Sequence, residues 1–248
     1  MEVHHHSRTE RKKWTHYFWE FFMLFLAVTA GFFVENQREH FIEHKREKQF
    51  IISMVKEMET DTIQLHKIMR DSIRIKGISD LLNVIYSGDG KTIDVREAYY
   101  LVFKHAMGVK FMNFSSNTLT QLKNAGNMRL IRDRNAVDSF NTMDNWIKQI
   151  ERQQNNVLEG IFDASNYSTM IFNAKYLRED GQLKSVEKIH EDSVTPVLMT
   201  NDPDILITYA NKLNIQAGRL TLYHTSLEDY DKFATRLISY LKKEYNIK

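Results

Sequence analysis

The hydrophobic positions of this chain form one long apolar run near the N-terminus and a series of periodic patterns after it. The run extends from Trp14 to Val34, WTHYFWEFFMLFLAVTAGFFV, and contains a single acidic residue, Glu20. About 20 consecutive apolar residues are enough to cross a bilayer as an α-helix. The pattern therefore predicts a transmembrane helix over residues 14–36, preceded by a basic tail over residues 1–13.

After the run, apolar residues recur at steps of three and four, which is typical of one face of a helix. The positions that repeat in this way are Ile51, Val55, Met58, Thr62, Leu65, Ile68, Met69 and Ile73. Neither Gly nor Pro occurs between Glu35 and Lys76. We therefore expect a juxtamembrane stalk helix over residues 37–86, with Gly77 as the place for a bend. The polar residues expected on its wet face are Lys56, Glu57, Glu59, Asp61 and Lys67.

The rest of the chain, residues 87–248, predicts a helical head that packs back on the stalk. Ser87-Gly88-Asp89-Gly90 and Glu179-Asp180-Gly181 are typical of turns or loops. Helix starts are expected at Asp94, Asp133 and Asp202-Pro203, and Ser115 or Ser116 can cap a helix that runs to Ala125. Gly126 fits the left-handed position after that helix.

The last helix keeps its period from Leu206 to Leu241 and would pack antiparallel to the first long helix. The predicted fold is therefore all-α. A single N-terminal transmembrane helix continues into a long stalk helix and an elongated antiparallel helical bundle.

One segment of the head resembles a known family. Residues 117–133, NTLTQLKNAGNMRLIRD, are similar to the central signature of an uncharacterised bacterial family of single-pass membrane proteins. Members of that family also begin with a basic N-terminus and a membrane helix that has Glu near its start and Asn at its end. In this chain, Glu20 and Asn36 occupy the corresponding positions. The resemblance covers the anchor, the first helix and the middle of the chain. It implies a single-pass, mostly helical membrane protein and brings no established activity.

Composition narrows the class of protein further. The net charge of +2 disfavours nucleic acid as the main partner, because nucleic-acid-binding domains are usually clearly basic. The absence of cysteine excludes a disulfide framework and a thiolate metal site. The basic residues that precede the run are Arg8, Arg11, Lys12 and Lys13. They favour a cytoplasmic N-terminus and a periplasmic C-terminal domain in a bacterial inner membrane.

A cleaved signal peptide is the alternative to an uncleaved anchor, since Val28-Thr29-Ala30 resembles a small-residue cleavage site. Apolar residues continue past that site through Val34, which favours the anchor.

Two features of the predicted membrane helix are candidates for function. Glu20 lies three residues inside Tyr17, at a depth of roughly 4.5 Å, and a carboxylate at mid-bilayer costs about 2.5–3.5 kcal/mol. It is either an interfacial acid near Lys12 and Lys13, or a polar contact or proton-sensitive site in an oligomer. Ala27, Ala30 and Gly31 form a small-residue patch that permits close approach of a second helix and therefore self-association.

The remaining motifs give weaker signals. His40-Phe41-Ile42-Glu43-His44 matches an inverted zinc-protease pattern, with two histidines one helical turn apart. The segment is highly charged and shows no third ligand, so a solvated helix face is the favoured interpretation. The candidate interaction element of the head consists of Leu119, Leu122, Lys123, Gly126, Leu130 and Ile131, although an apolar stripe at this spacing is more often core.

The sequence thus favours a non-enzymatic, membrane-anchored scaffold that self-associates and engages a protein in the same membrane or the envelope. We expect no cofactor and no nucleic-acid partner. The alternatives are an extracytoplasmic ligand sensor that signals through a partner, an ion- or proton-linked subunit that uses Glu20, and a zinc hydrolase at His40, Glu43 and His44.

Overall fold

The structure, a computed structural model, describes residues 14–70, 73–87, 93–179 and 182–247. Within these ranges the secondary structure is helical apart from one small sheet, so the predicted all-α class is confirmed. The elements are α1 (Trp14–Met69), α2 (Ile73–Ser87), α3 (Val95–Leu101), a π-helix (Val102–Ala106), α4 (Asn117–Asn124), a 3₁₀-helix (Asn127–Leu130), α5 (Arg134–Ile171), a second 3₁₀-helix (Ala174–Leu177), β1 (Arg178–Glu179), β2 (Gln182–Leu183), α6 (Val186–Glu191) and α7 (Pro203–Glu244).

The chain divides into two compact units, and the boundary falls inside α1 after Phe50. The described part of the first unit is the N-terminal portion of α1. The second unit, from Ile51 onward, contains all the other elements. The predicted basic tail over residues 1–13, and the predicted turns at Gly88–Gly90 and Asp180–Gly181, lie outside the described residues.

Helices α5 and α7 pack antiparallel and supply much of the core of the second unit. Lys212 of α7 pairs with Asp163 of α5 at 2.8 Å, and Tyr240 donates a hydrogen bond to Asp133 at 2.5 Å. Residue numbers thus rise along one helix as they fall along the other. The largest fully buried side chains of these two helices are Phe140, Tyr209, Tyr223 and Tyr230.

The C-terminal part of α1 and all of α2 also run antiparallel to α7, as the sequence predicts. Lys242 pairs with Glu59 at 2.7 Å, His66 lies 3.0 Å from Asp231, and Tyr86 donates to Asn211 at 3.4 Å. The periodic positions that are buried as expected are Ile51, Val55, Met58, Leu65 and Ile68. Ile73, which the sequence pattern also includes, is 59% exposed.

The sequence predicts a bend of the first long helix at Gly77. Helix α1 ends at Met69 and α2 begins at Ile73. Helix α2 runs through Gly77 without a break, and this glycine lies against the ring of His105 instead. The missing side chain at Gly77 therefore provides packing space.

Three of the predicted helix starts agree with the observed caps, whereas the side chain of Ser116, before α4, makes no capping hydrogen bond. Asp94, Asp133 and Asp202 each precede a helix and accept a backbone N–H from its first turn at 2.9–3.0 Å. Pro203 occupies the first turn of α7. Gly126 has φ +65° and follows α4, which confirms the left-handed position.

The segment between α5 and α7 is the part that periodicity predicts least. A hairpin of β1 and β2 is followed by the short α6, and α6 is held against α3. Arg96 donates to the carbonyls of Ile189, His190 and Asp192. The buried hydroxyl of Tyr99 accepts from the amide of Asn173 at 2.7 Å and donates to the carbonyl of Val197 at 2.9 Å.

Candidate functional site

The apolar run in α1 is exposed along its whole length in the first unit. Exposure reaches 80% at Trp14, 69% at Leu24 and 74% at Phe32. An 18-residue window of this helix has a mean hydropathy of 1.8 and none of it is buried. Among the described residues, it is the one helix long and apolar enough to cross a membrane.

Glu20 lies beside a histidine on the preceding turn of the same helix. The Oε1 atom of Glu20 is 3.1 Å from the Nε2 atom of His16, and both side chains are about half exposed. Its predicted neighbours Lys12 and Lys13 lie outside the described residues. The small-residue patch Ala27, Ala30 and Gly31 is exposed, and a Cβ added at Gly31 would meet nothing within 4 Å. The face is sterically open.

The histidines of the zinc-protease-like motif each face a carboxylate on the following turn of α1. His40 Nδ1 lies 3.9 Å from Glu43 Oε2, and His44 Nδ1 lies 3.3 Å from Glu47 Oε2. Catalytic zinc needs three protein ligands around an open position. In the described ranges, no group of three or more His, Cys, Asp and Glu side chains is arranged to hold a metal ion.

The candidate interaction element falls on α4 and the 3₁₀-helix that follows it. Leu119, Leu122 and Ile131 are buried, and Leu130 is partly buried. These apolar side chains thus belong to the core of the second unit. The exposed positions are polar or small and include Lys123, which pairs with Asp144 of α5 at 2.7 Å. The use of this element in binding a partner stays a prediction.

Two carboxylates of α1 hold the start of α4, and we name them with their donors the carboxylate clasp: Glu57, Asp61, Ser115 and Thr118. Both oxygens of Asp61 accept the amide N–H of Ser115, at 3.1 and 3.0 Å. Glu57 accepts the amide of Thr118 at 3.2 Å and its hydroxyl at 2.8 Å. The carboxylates therefore satisfy backbone donors at a helix N-terminus, where negative charge is favoured.

The predicted wet face of the first helix is therefore wrong at Asp61, which is only 2% exposed. The spacing of the core residues in the sequence indicates that Asp61 lies on the buried face. Met54, Met58, Asp61 and Leu65 follow one another at steps of four, three and four, so they share one face of α1. A polar residue on a buried face needs partners, and the clasp provides them.

The environment of Asp61 changes its acidity. Burial raises the pKa of Asp61 above its usual 3.8, hydrogen bonds from Ser115 oppose the rise, and the nearby charge of Glu57 adds to it. Burial also raises the pKa of Tyr230 on α7, and the charge of Asp61 adds to that rise. The hydroxyl of Tyr230 is buried and has no hydrogen-bond partner among the described residues.

A second cluster surrounds the π-helix, an irregularity that often occurs at functional sites. Buried His105 lies on this helix and packs against Gly77 of α2, so closely that a Cβ at Gly77 would overlap three atoms of the imidazole ring. Arg74, also on α2, donates to the carbonyl of Lys104 at 3.2 Å and to that of Gly108. Helix α2 thus holds the π-helix and the residues just after it.

A cavity of about 60 Å³ lies next to the π-helix, between it and helices α5 and α7. Its apolar walls come from Val102, Ala106, Met107, Ile161, Ala164 and Tyr209, and three hydroxyl residues of α5 complete them. Burial raises the pKa of Tyr209, and a hydrogen bond with Ser168 opposes the rise. No sequence pattern indicates this site, because its walls come from segments far apart in the chain.

Fold and sites together define an all-α bundle that has one helix able, by length and composition, to cross a membrane. No family model matches the chain, and no match was found among curated proteins or solved structures. The family resemblance of residues 117–133 therefore stays a prediction.

Proposed function

We propose that this protein is a single-pass membrane protein whose helical bundle is a non-enzymatic interaction module. The observation that carries the proposal is the complete exposure of the apolar window in α1. A contiguous apolar surface of this size is unfavourable in water and marks a site of contact with a membrane or a protein. A helical span satisfies its own backbone hydrogen bonds, so lipid is a suitable surrounding for it.

The second unit supports the other half of the proposal. From Ile51 onward the chain has its own core, to which α5 and α7 contribute many buried side chains. The bundle can therefore fold around its own apolar side chains while the apolar N-terminal part of α1 enters a bilayer. Its exposed surfaces are then free for protein partners, which is the function we propose.

Membrane attachment is tested with two matched variants of the full-length protein. Replacing Leu24 and Leu26 by Lys places two charges within the apolar run, at a cost of about 2.5–3.5 kcal/mol each at a helix centre. The control replaces exposed Ile207 and Ile215 of α7 by Lys. We expect wild type and control to resist alkaline carbonate extraction from membranes and the Leu24/Leu26 variant to be released. Release of the wild-type protein would contradict the proposal.

For localisation, we propose the bacterial inner membrane with the N-terminus in the cytoplasm and the C-terminal domain in the periplasm. The support is the group of basic residues before Trp14. Protease added to intact spheroplasts should digest the bundle. Protection of the bundle until the membrane is permeabilised would reverse the proposed orientation.

We also propose self-association through Ala27, Ala30 and Gly31, which are open to a neighbouring helix. Replacing Gly31 by Leu should reduce dimer recovered by crosslinking in native membranes, whereas Val28→Leu should not. Equal crosslinking in both variants, or only monomer in the wild type, would remove this part of the proposal.

The ion-linked alternative rests on Glu20 alone and has a separate test. The contact of Glu20 with His16 provides a local partner for the carboxylate, which favours a structural role. Glu20→Gln should therefore preserve both abundance and partner binding. Normal abundance with loss of cellular function would favour the ion-linked subunit instead.

A further inference from the structure

We infer that the cavity beside the π-helix binds the end of an aliphatic chain. The inference concerns only the second unit and stands independently of membrane attachment. It rests on the walls of the cavity, its volume and the exposed apolar side chains of the elements that line it.

The polar groups of the cavity are already engaged in hydrogen bonds. The hydroxyl of Ser165 donates to the carbonyl of Phe162, and that of Thr169 donates to the carbonyl of Asn166. Ser168 shares a hydrogen bond with Tyr209. A polar guest would therefore compete with bonds that exist, whereas an apolar guest would only add contacts with the aliphatic walls.

The volume sets the size of the guest. An apolar protein cavity of about 150 Å³ accommodates benzene or xenon, and the share of one water in liquid volume is about 30 Å³. A cavity of about 60 Å³ therefore admits about two or three carbon atoms of a narrow chain, and a ring is too large. Terminal ethyl and propyl groups of unbranched chains fit this limit.

Exposed apolar side chains on the elements that line the cavity can take the rest of the chain. Met107 lines the cavity and is 52% exposed. On α5, Leu158 and Phe162 continue the stripe of Ser165 and Thr169 at helical spacing, and Phe162 is 61% exposed. The chain end would enter past Met107, and the preceding carbons would lie along this stripe.

The cavity is held open by the packing of α2 on the π-helix. His105 is fixed against Gly77, and Arg74 binds the carbonyls of Lys104 and Gly108. Ala106, between these anchored residues, cannot move into the cavity without breaking them. A pre-formed cavity lowers the cost of ordering the protein around a ligand.

The test uses the full-length protein labelled with ¹³C at its methionine methyl groups, in nanodiscs of chain-deuterated lipid, and decanoate as the probe. We expect a saturable shift of the Met107 methyl resonance and nuclear Overhauser effects to the terminal methyl of decanoate. Ala164→Val fills the cavity and should weaken the apparent affinity at least tenfold. Ala217→Val, on α7 away from the cavity, should leave it unchanged.

A second filling variant, Ala106→Val, covers the case in which Ala164→Val fails to fold. A linear response, or the same affinity in the folded filled variants as in the wild type, would overturn the inference. Without decanoate and with protonated lipid, Overhauser effects from Met107 to lipid chain ends would assign the chain to the bilayer. Their absence, with decanoate still binding, would assign it to a free fatty acid. If carbonate extraction releases the protein, the decanoate titration is run in buffer.

Discussion

At the scale of single residues, Asp61 shows how a charged side chain can belong to a core. It occupies a face shared with Met54, Met58 and Leu65, where burial of a charge is costly. The two hydrogen bonds from the amide of Ser115 offset part of that cost. The remaining cost appears as a raised pKa of the carboxyl.

Replacing Asp61 by Asn should change how stability depends on pH. Because the pKa of Asp61 is raised in the folded state, the folded protein binds more protons than the unfolded chain above pH 3.8. The stability that this group contributes is present at low pH and is lost as pH rises through the folded pKa. In urea titrations at increasing pH, the unfolding free energy of Asp61→Asn should therefore rise relative to the wild type.

The control is Asp138→Asn, which changes an exposed carboxylate on α5. Because the side chain of Asp138 is exposed, this substitution should change the unfolding free energy by less than about 0.5 kcal/mol. If the unfolding free energy of Asp61→Asn keeps a constant difference from that of the wild type as the pH rises, burial of Asp61 does not affect its proton binding.

Two glycines should respond to alanine in opposite directions. At Gly77 the new methyl group would overlap the His105 ring, and overpacking of this kind costs about 1–3 kcal/mol. At Gly218, inside α7, a Cβ meets nothing within 4 Å, so helix propensity should stabilise Gly218→Ala by about 0.5–1 kcal/mol. Thermal unfolding followed by circular dichroism shows whether each substitution raises or lowers stability. Equal changes in stability for the two variants would contradict the packing of His105 against Gly77.

At the scale of elements, α4 takes its N-terminal cap from another helix. Ser116 occupies the cap position, but its side chain makes no capping hydrogen bond. Glu57 of α1 accepts both the amide and the hydroxyl of Thr118 instead. The carboxylate clasp thereby joins two elements that are far apart in the sequence.

Substitutions at Glu57 and Ser116 show whether α4 is capped by another helix or by its own N-cap residue. Glu57→Ala leaves the donors of Thr118 without their acceptor and should lower the free energy of unfolding by about 1–2 kcal/mol. Ser116→Ala should change it by less than about 0.5 kcal/mol. Amide hydrogen exchange at Thr118 should accelerate only in the Glu57 variant. A larger effect at Ser116 would mean that α4 is capped locally.

At the scale of the whole molecule, α7 connects most of the second unit. Its Asn211 accepts a hydrogen bond from Tyr86 of α2, and its Lys212 pairs with Asp163 of α5. Near its end, Lys242 pairs with Glu59 of α1. Its last turns include Tyr240, bonded to Asp133, and Leu241, which is fully buried. The end of α7 therefore holds α1 and the start of α5 together.

Two C-terminal truncations test this arrangement. Ending the chain after Ser239 removes Tyr240, Leu241 and Lys242, and the loss of one buried leucine alone costs about 2–5 kcal/mol. Ending it after Lys243 keeps those contacts and should cost less than about 1 kcal/mol. Urea unfolding compares the two. Equal stability would show that the last turns of α7 do not support the bundle.

Much of the fold follows from local physics that the sequence displays directly. The apolar run, the caps at Asp94, Asp133 and Asp202, and the left-handed Gly126 are specified by short-range chemistry. Helical periodicity likewise predicts the buried stripe of α1 from Ile51 to Ile68. These features depend on residues within one or two turns of each other, so a linear pattern contains them.

Other features required the tertiary structure, because they depend on which distant residue faces a given side chain. Asp61 has the local pattern of a solvated acid until the amide of Ser115 is placed against it. Gly77 has the pattern of a helix bend until His105 is found beside it. The cavity forms where the π-helix meets α5 and α7. The sequence by itself determined the long helices, the caps at Asp94, Asp133 and Asp202 and the apolar segment; packing of helices far apart in the chain decided the clasp that caps α4 and the cavity.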